Sequence, residues 1–294
     1  MKRRYKHFNF RSTTLDLIQK VNDILAEYEA QGFADLTLRQ VYYQLVARDE
    51  IPNQVREYDR LGMTIGKARL AGLIDWLKIT DRTRYLRSLD HWSSPAEILK
   101  ASAEQYRVDK WARQIYRPEV WIEKDALVGV IAGVCDELDV PYFSCRGYTS
   151  LSEMWLAGQR LQKYIRKGQR PLIFHFGDHD PSGIDMTRDI RERLEMFMGG
   201  TEVERLALNF IQIQLFNPPP NPAKETDSRF GAYSSEFGDE SWELDALEPT
   251  ALASLIRDNI ERYRDDDLWE EAELEEKEAR SSLLKVARTW KKRT

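Results

Sequence analysis

Cysteine is scarce, with two among 294 residues, and histidine is nearly as rare, with four. Cys135 and Cys145 fall in a predicted helix and at a predicted strand end, which suits reduced thiols and gives no disulfide framework. His7, His91, His175 and His179 share no spacing with one another or with the cysteines, so no zinc-site pattern is present. Long apolar runs are also missing. None approaches the roughly 18 residues that span a bilayer, and the basic start MKRRYKHFNF lacks the apolar core and cleavage site of a signal peptide. A cytoplasmic, nucleoid-associated protein with no membrane partner is expected. The 42% apolar content argues against wholesale disorder, and no internal repeat is visible.

The net charge of −5 does not suggest nucleic acid, but the average conceals a division. Residues 1–117 carry 21 basic and 15 acidic side chains, net +6. The remaining 23 basic and 34 acidic side chains give residues 118–294 a net −11. Opposite signs in two parts of one chain point to separate tasks.

In the basic part, Leu15, Ile18, Val21, Ile24, Leu25 and Tyr28 form an apolar stripe at helical spacing. After Gly32, Thr37 and Gln40 make a capping-box pattern ahead of Leu38, Val41, Tyr42, Leu45 and Val46. A third helix carries Leu61, Ile65, Ala68 and Leu73 with Arg56, Arg60, Lys67 and Arg69, and the basic, strand-like segment DWLKITDRTRYLR follows. Three helices and a basic strand predict a winged helix-turn-helix over residues 1–88, whose third helix would enter a DNA major groove. Residues 89–117 are expected to be a helical connector.

From Pro118 strands and helices alternate: strands at 120–122, 141–144, 172–176 and 209–216, with helices carrying Leu127–Leu138, at 150–166 and at 184–197. This pattern predicts an α/β domain over 118–246 with a central parallel sheet flanked by helices. Residues 217–242 are Pro-rich and polar, hence a long loop. Residues 247–294 are expected to form a C-terminal helical segment whose acidic stretch at 265–278 faces solvent.

The most informative string is FHFGDHDPSGIDM, where an apolar strand runs into Asp178 and Asp180 just before a helix. Carboxylates there lie in the crevice where open α/β sheets bind ligands. Two aspartates two residues apart ionise together only with a cation, and hard oxygen ligands suit Mg2+. Glu123, in VWIEKDAL, holds the matching place after the first strand. Three other readings compete. An EF-hand loop is opposed by the preceding strand, by Pro181 and by Asp185 at a usually apolar position; a phosphatase-type aspartate nucleophile would leave Glu123 idle; and the aspartates may serve only as strand-end caps. The string GMTIGKA is one residue short of a P-loop and lacks its Ser or Thr, so no ATP site is read there.

The Glu, then Asp-x-Asp-Pro-x-Gly arrangement with CRGYTSLSEMW between, resembles the toprim domain of the topoisomerase VI A subunit and the related meiotic double-strand-break protein. Arg39, Gln40, Val41, Tyr42 and Tyr43 resemble the Arg-x-x-Tyr-Tyr pattern in the winged-helix domain of the same family, of which this chain would be a short bacterial or phage-like member. The resemblance implies that Glu123, Asp178 and Asp180 bind Mg2+, that Tyr43 attacks a DNA phosphodiester to leave a phosphotyrosyl link, and that it does so at the metal site of a second subunit in a homodimer. Helix geometry separates the two rings independently: Tyr42 lies on the buried stripe, and Tyr43 lies about 100° away, one turn beyond Arg39. Arg39 would then contact the Tyr43 oxygen or the phosphate, lowering the barrier to phenol attack. The alternative is that both rings only pack.

Arg60, Lys67, Arg69, Arg82, Arg84 and Lys224 are candidate contacts to double-stranded DNA, since sequence-independent affinity comes from such charges. Glu243 and Asp245 are candidates for a second metal ion, with Lys224 or Arg229 on phosphate, as in toprim nucleases that hydrolyse DNA with a metal-activated water. No ATPase motif is visible, so strand passage would need a separate ATPase subunit. A third expectation, of a different class, is a DNA-binding regulator with no activity.

Overall fold

The structure, a computed structural model of the single chain, describes residues 1–33, 35–80 and 89–290. Three helices build its N-terminal part: α1 (Ser12–Ala30), α2 (Leu38–Ala47) and α3 (Val55–Leu70). Ile18, Val21, Ile24, Leu25 and Tyr28 of α1 share one core with Val41 and Leu45 of α2 and with Leu61, Ile65 and Ala68 of α3. The start of α2 is set by the predicted box. Thr37 Oγ1 accepts from the Gln40 amide at 3.3 Å, and Gln40 Oε1 accepts from the Thr37 amide at 2.7 Å, so two amides without helical partners are satisfied. Beside these helices β1 (Leu36–Thr37) and β2 (Ile79–Thr80) pair in parallel. Among the described residues this unit therefore has a parallel pair and no antiparallel wing hairpin; Arg82 and Arg84 lie outside the described residues. Gly72, with φ of +75°, ends the turn after α3, where a Cβ would stand 2.9 Å from the Arg4 amide nitrogen.

The expected helical connector is helical only over α4 (Pro95–Gln105), after which the chain turns and enters β3 (Tyr116–Ile122). The strand starts two residues before Pro118 because Tyr116 and Arg117 pair with Arg170 and Pro171. The chain continues through α5 (Val128–Glu137), β4 (Tyr142–Ser144), α6 (Leu151–Arg166), β5 (Arg170–Phe176), α7 (Pro181–Met198) and β6 (Glu202–Ala207). These four strands form one sheet in the order β4-β3-β5-β6, every pair parallel. Alternate residues face opposite layers. Val120, Ile122, Phe174 and Phe176 pack against α5, whereas Trp121 and Ile173 pack against Met154 and Leu161 of α6 and Ile190 and Leu194 of α7.

Three expectations are corrected. NFIQIQLF is not a strand: Asn209 and Gln212 form a capping box and start α8 (Phe210–Phe216), and the fourth strand is β6, whose charges interrupt its apolar pattern. The polar stretch 217–242 is not a plain loop, since β7 (Asn221–Pro222) pairs with β8 (Glu240–Ser241) around α9 (Phe230–Phe237). Finally, the C-terminal helices α10 (Pro249–Glu261) and α11 (Asp266–Trp290) are packed elements. Leu252, Ile256, Ile260 and Trp269 join the core under the sheet. The acidic stretch itself faces solvent as expected, with Glu276 as its one buried acid, which accepts a hydrogen bond from the Val108 amide at 3.0 Å.

Because β4 lies on one side of β3 and β5 on the other, successive crossovers diverge. The carboxyl ends of β3 and β5 are therefore the switch point at which open α/β sheets place their ligands. Both cysteines are buried and unbridged, and among the described residues no helix is long and apolar enough to cross a membrane.

Candidate active site

Glu123 and Asp178 follow directly from β3 and β5, and the Glu123 amide donates to Phe176 O at 2.8 Å, locking the two strand ends together. Glu123 Oε2 accepts from the Asp178 amide at 2.9 Å, and Asp178 Oδ1 accepts from the Leu244 amide at 2.8 Å. Asp180 caps α7, its Oδ1 accepting from the Gly183 amide at 2.5 Å and the Ser182 hydroxyl at 2.9 Å. One oxygen of Asp180 is thus a helix cap, at the start of α7 and not at a strand end. In each of the three acids the second oxygen, Glu123 Oε1, Asp178 Oδ2 or Asp180 Oδ2, takes no hydrogen bond from the described residues.

Burial lifts the Glu123 carboxyl above its ordinary range, and the charge of Asp180 adds to the lift. Burial lifts Asp178 further; Lys124 pulls against this, and Glu123 is among the acids that add to it. Unpaired hard oxygens held under mutual repulsion are the donor chemistry that a divalent ion relieves. The set fits such an ion in chemistry, although among the described residues no three acid, His or Cys side chains are gathered in a metal-holding group.

Three carboxylates do converge elsewhere, on the ammonium of Lys124, next to Glu123 in sequence. Lys124 Nζ lies 2.9 Å from Asp178 Oδ1 and 3.0 Å from Asp245 Oδ1, and it is also bonded to Glu243. Burial works against the charge on Lys124, but Asp245, Asp178 and Glu243 outweigh it, and the amine titrates above its ordinary range. Glu243 is held below the usual carboxylate range, since Lys124 and Arg39 overcome its burial. Arg39 closes the outer side: its Nη2 lies 2.8 Å from Glu243 Oε2, and its Nε bonds Asp245. The pair expected to hold a second metal is therefore occupied by two side-chain cations.

Arg39 Nη2 lies 3.5 Å from the Tyr43 hydroxyl, the i,i+4 neighbour the helix predicts. Tyr43 is nevertheless 5% exposed, and Tyr42 is 4% exposed. The 100° offset does not free Tyr43, because it joins the same core as Val41 and Leu45, to which the turn at Leu244–Ala246 adds Ala246, and every side chain from Gln40 to Val46 is buried. Burial raises the Tyr43 phenol, Asp245 and Glu243 raise it further, and Arg39 and Lys124 only oppose them. The Arg39 charge pulls the phenol down, but burial and the two carboxylates it pairs with outweigh it. Tyr42 has a structural part: its hydroxyl accepts from the Gln54 amide at 2.8 Å.

Sequence reasoning missed Lys124 and Arg205. The Arg205 guanidinium donates to the carbonyls of Gly177 at 3.0 Å, Asp178 at 2.6 Å, Gly183 at 2.9 Å and Leu208 at 3.2 Å. It clamps the turn that carries both aspartates, and burial draws its pKa down to about 10. His179, between the aspartates, is an anchor: its Nδ1 lies 2.9 Å from the Tyr233 hydroxyl, and its amide donates to Trp242 O at 2.8 Å, tying the 217–242 segment to the turn.

The candidate DNA contacts separate. Lys67 and Lys224 are exposed, and Arg60 is exposed beside Glu57 at 2.6 Å. Arg69 is committed inward, its Nη2 donating to Trp76 O at 3.0 Å and to Ile79 O, which makes it a backbone clamp instead of a phosphate ligand. Arg229 is likewise taken, 2.8 Å from Asp227 and 3.0 Å from Asp185. The chain matches no protein-family model and no curated protein, so the reading of the site rests on this geometry.

Proposed function

We propose that the protein cuts strands of double-stranded DNA in a divalent-cation-dependent reaction, with its helical unit as a winged helix-turn-helix and its sheet unit as a toprim domain. The observation that carries the reading is the continuous contact path from Tyr43 through Arg39 to Glu243 and Asp245, and through Lys124 to Asp178. The path supports the reading because it links the Tyr43 hydroxyl, two side-chain cations and Asp178 within one chain. Glu123, Asp178 and Asp180 are the residues to hold Mg2+, which would supply charge stabilisation to the pentavalent phosphate.

In the cutting step the Tyr43 oxygen bonds to phosphorus as its proton is lost, and the deoxyribose oxygen opposite departs and takes up a proton. Arg39 orients the phenol and the phosphate. Lys67, Arg60 and Lys224 hold the flanking backbone. A homodimer and a separate ATPase subunit for strand passage belong to the same reading, but because the contact path lies within one chain, Tyr43 is taken to serve the acids of its own chain and not those of the partner that the resemblance implies.

A second reading is favoured by the burial of Tyr43 and its raised phenol: water is the nucleophile, the metal that Glu123, Asp178 and Asp180 would hold would supply its activation, and the protein is a nuclease. One experiment separates them. Supercoiled plasmid is incubated with Mg2+ or Mn2+ and the wild-type or Tyr43→Phe protein, then quenched in denaturant. A protein–DNA adduct that disappears in Tyr43→Phe supports the covalent route. Free ends made equally by both proteins support hydrolysis, and binding without cutting in either metal sinks both.

A further inference from the structure

We propose that Lys124 is the resident cation of the carboxylate cluster, filling the place between Asp178, Glu243 and Asp245 that would otherwise take a divalent ion. The site consequently has room for one metal fewer than its acids suggest. The Lys124 ammonium donates hydrogen bonds to Glu243 and to Asp245 at 3.0 Å, and it forms a third ion pair with Asp178 at 2.9 Å. The three acids come from two distant stretches of chain, the turn after β5 and the segment after β8, and the lysine side chain rises between them from the end of β3. The Asp245 carboxylate has no exposed surface and that of Asp178 only a tenth, so their charges must be balanced by a neighbour.

Arg39 completes the enclosure by engaging Glu243 and Asp245 from the outer side. Two fixed cations thus face the three carboxylates of Asp178, Glu243 and Asp245, which leaves one negative charge within this cluster, apart from the acids of Glu123 and Asp180. A neutral residue at 124 would leave the Glu243, Asp245 and Asp178 carboxylates without the cation that now lies between them, and hard oxygens so left would draw in Mg2+ or Mn2+. Lys124 is a positioning residue in this account, and it sets metal stoichiometry.

The inference extends the proposed metal site but is tested apart from it. Mn2+ bound per chain is counted by electron paramagnetic resonance and calorimetry on the full-length protein, without DNA, for wild type, Lys124→Gln, Lys124→Arg and Lys124→Gln/Asp245→Asn. Lys124→Gln is expected to bind one more Mn2+ than wild type. Lys124→Arg should match wild type, and the double variant should lose the added ion. Equal counts in wild type and Lys124→Gln overturn the proposal, even where wild type binds one ion as the proposed function requires. Zero ions in wild type and one in Lys124→Gln uphold it while removing the metal from the proposed function. If Lys124→Gln fails to fold by circular dichroism, the wild-type background decides. Asp245→Asn alone must leave the count unchanged, and loss of an ion there shows that metal already occupies the place.

Discussion

At the scale of single residues, the turn after β5 is held by what it lacks. A Cβ at residue 183 would stand 2.2 Å from the Asp178 carbonyl oxygen, closer than any packing tolerates, so the Asp-x-Asp-Pro-x-Gly string closes only with glycine in last place. Gly183→Ala should lower stability by about 1–3 kcal/mol, as overpacking does, and should weaken Mn2+ binding because Asp178 and Asp180 move together; denaturant unfolding and metal titration on the same preparation check both. Arg205→Gln removes the clamp from the other side and is expected to cost about 10–100-fold in Mn2+ affinity, the usual effect of losing a group that supports metal ligands.

A buried imidazole gives the pH dependence a definite sign. Burial, with the Arg205 charge adding, draws His175 down to about 3, while its Nδ1 lies 2.8 Å from the Thr187 hydroxyl. The unfolded chain has an ordinary histidine near 6.5. Between these values the unfolded state binds the proton and the folded state does not. Stability is therefore full above about pH 6.5 and falls as pH drops toward 3, by up to about 1.4 kcal/mol per pH unit from this group. Unfolding midpoints at pH 7, 6 and 5 should show the decline, and a His175→Gln protein should show a shallower one; equal slopes would remove His175 as its source.

At the scale of elements, α10 makes the C-terminal segment part of the sheet domain. Ile256 is fully buried in the core under β3 and β5, and Ile256→Ala should cost about 2–5 kcal/mol, read as a shift of the single unfolding transition. A second, independent transition for residues 247–290 would contradict this packing. How far such elements were legible depended on whether their signal was local. The capping box of α2 and the apolar runs of β3 and β5 were readable because a few adjacent residues determine them. The alternation in Phe210–Phe216 mimics a strand, and the stronger local signal, Asn209 with Gln212 three residues on, was present but outweighed. For α2, a helical wheel gave the angle between Tyr42 and Tyr43 correctly and the burial wrongly. The core that buries Tyr43 includes Ala246, about 200 residues away, which no periodicity within the helix reports. Lys124 escaped for the same reason: its partners Asp178 and Asp245 become neighbours only through the sheet.

At the scale of the whole molecule, the charge division at residue 117 resolves into contact across it. Arg39 of the basic part bonds Glu243 and Asp245 of the acidic part, and Asn53 donates to Asn221 at 2.6 Å. These bonds cover Tyr43. Arg39→Met should loosen the junction and expose the phenol, so that nitration of Tyr43 by tetranitromethane, followed by peptide mass mapping, rises several-fold over wild type while Tyr28 stays protected. No change in Tyr43 nitration would mean that apolar packing alone holds the two parts together.

The bond between Arg39 and Asp245 spans 206 residues of sequence, and this has a consequence for the order in which the chain is made. A ribosome adding about 5–20 residues per second takes roughly 10–40 s to cover that distance. Through that interval the N-terminal helices have left the tunnel with Arg39 unpaired and Tyr43 uncovered, while the acids that will enclose them are not yet synthesised. The contacts cannot form piecemeal, because Arg39 and Asp245 are made 206 residues apart. A nascent fragment that stops short of Asp245 therefore holds Tyr43 without the acids that enclose its arginine, and the full set of contacts forms only once that residue has been added.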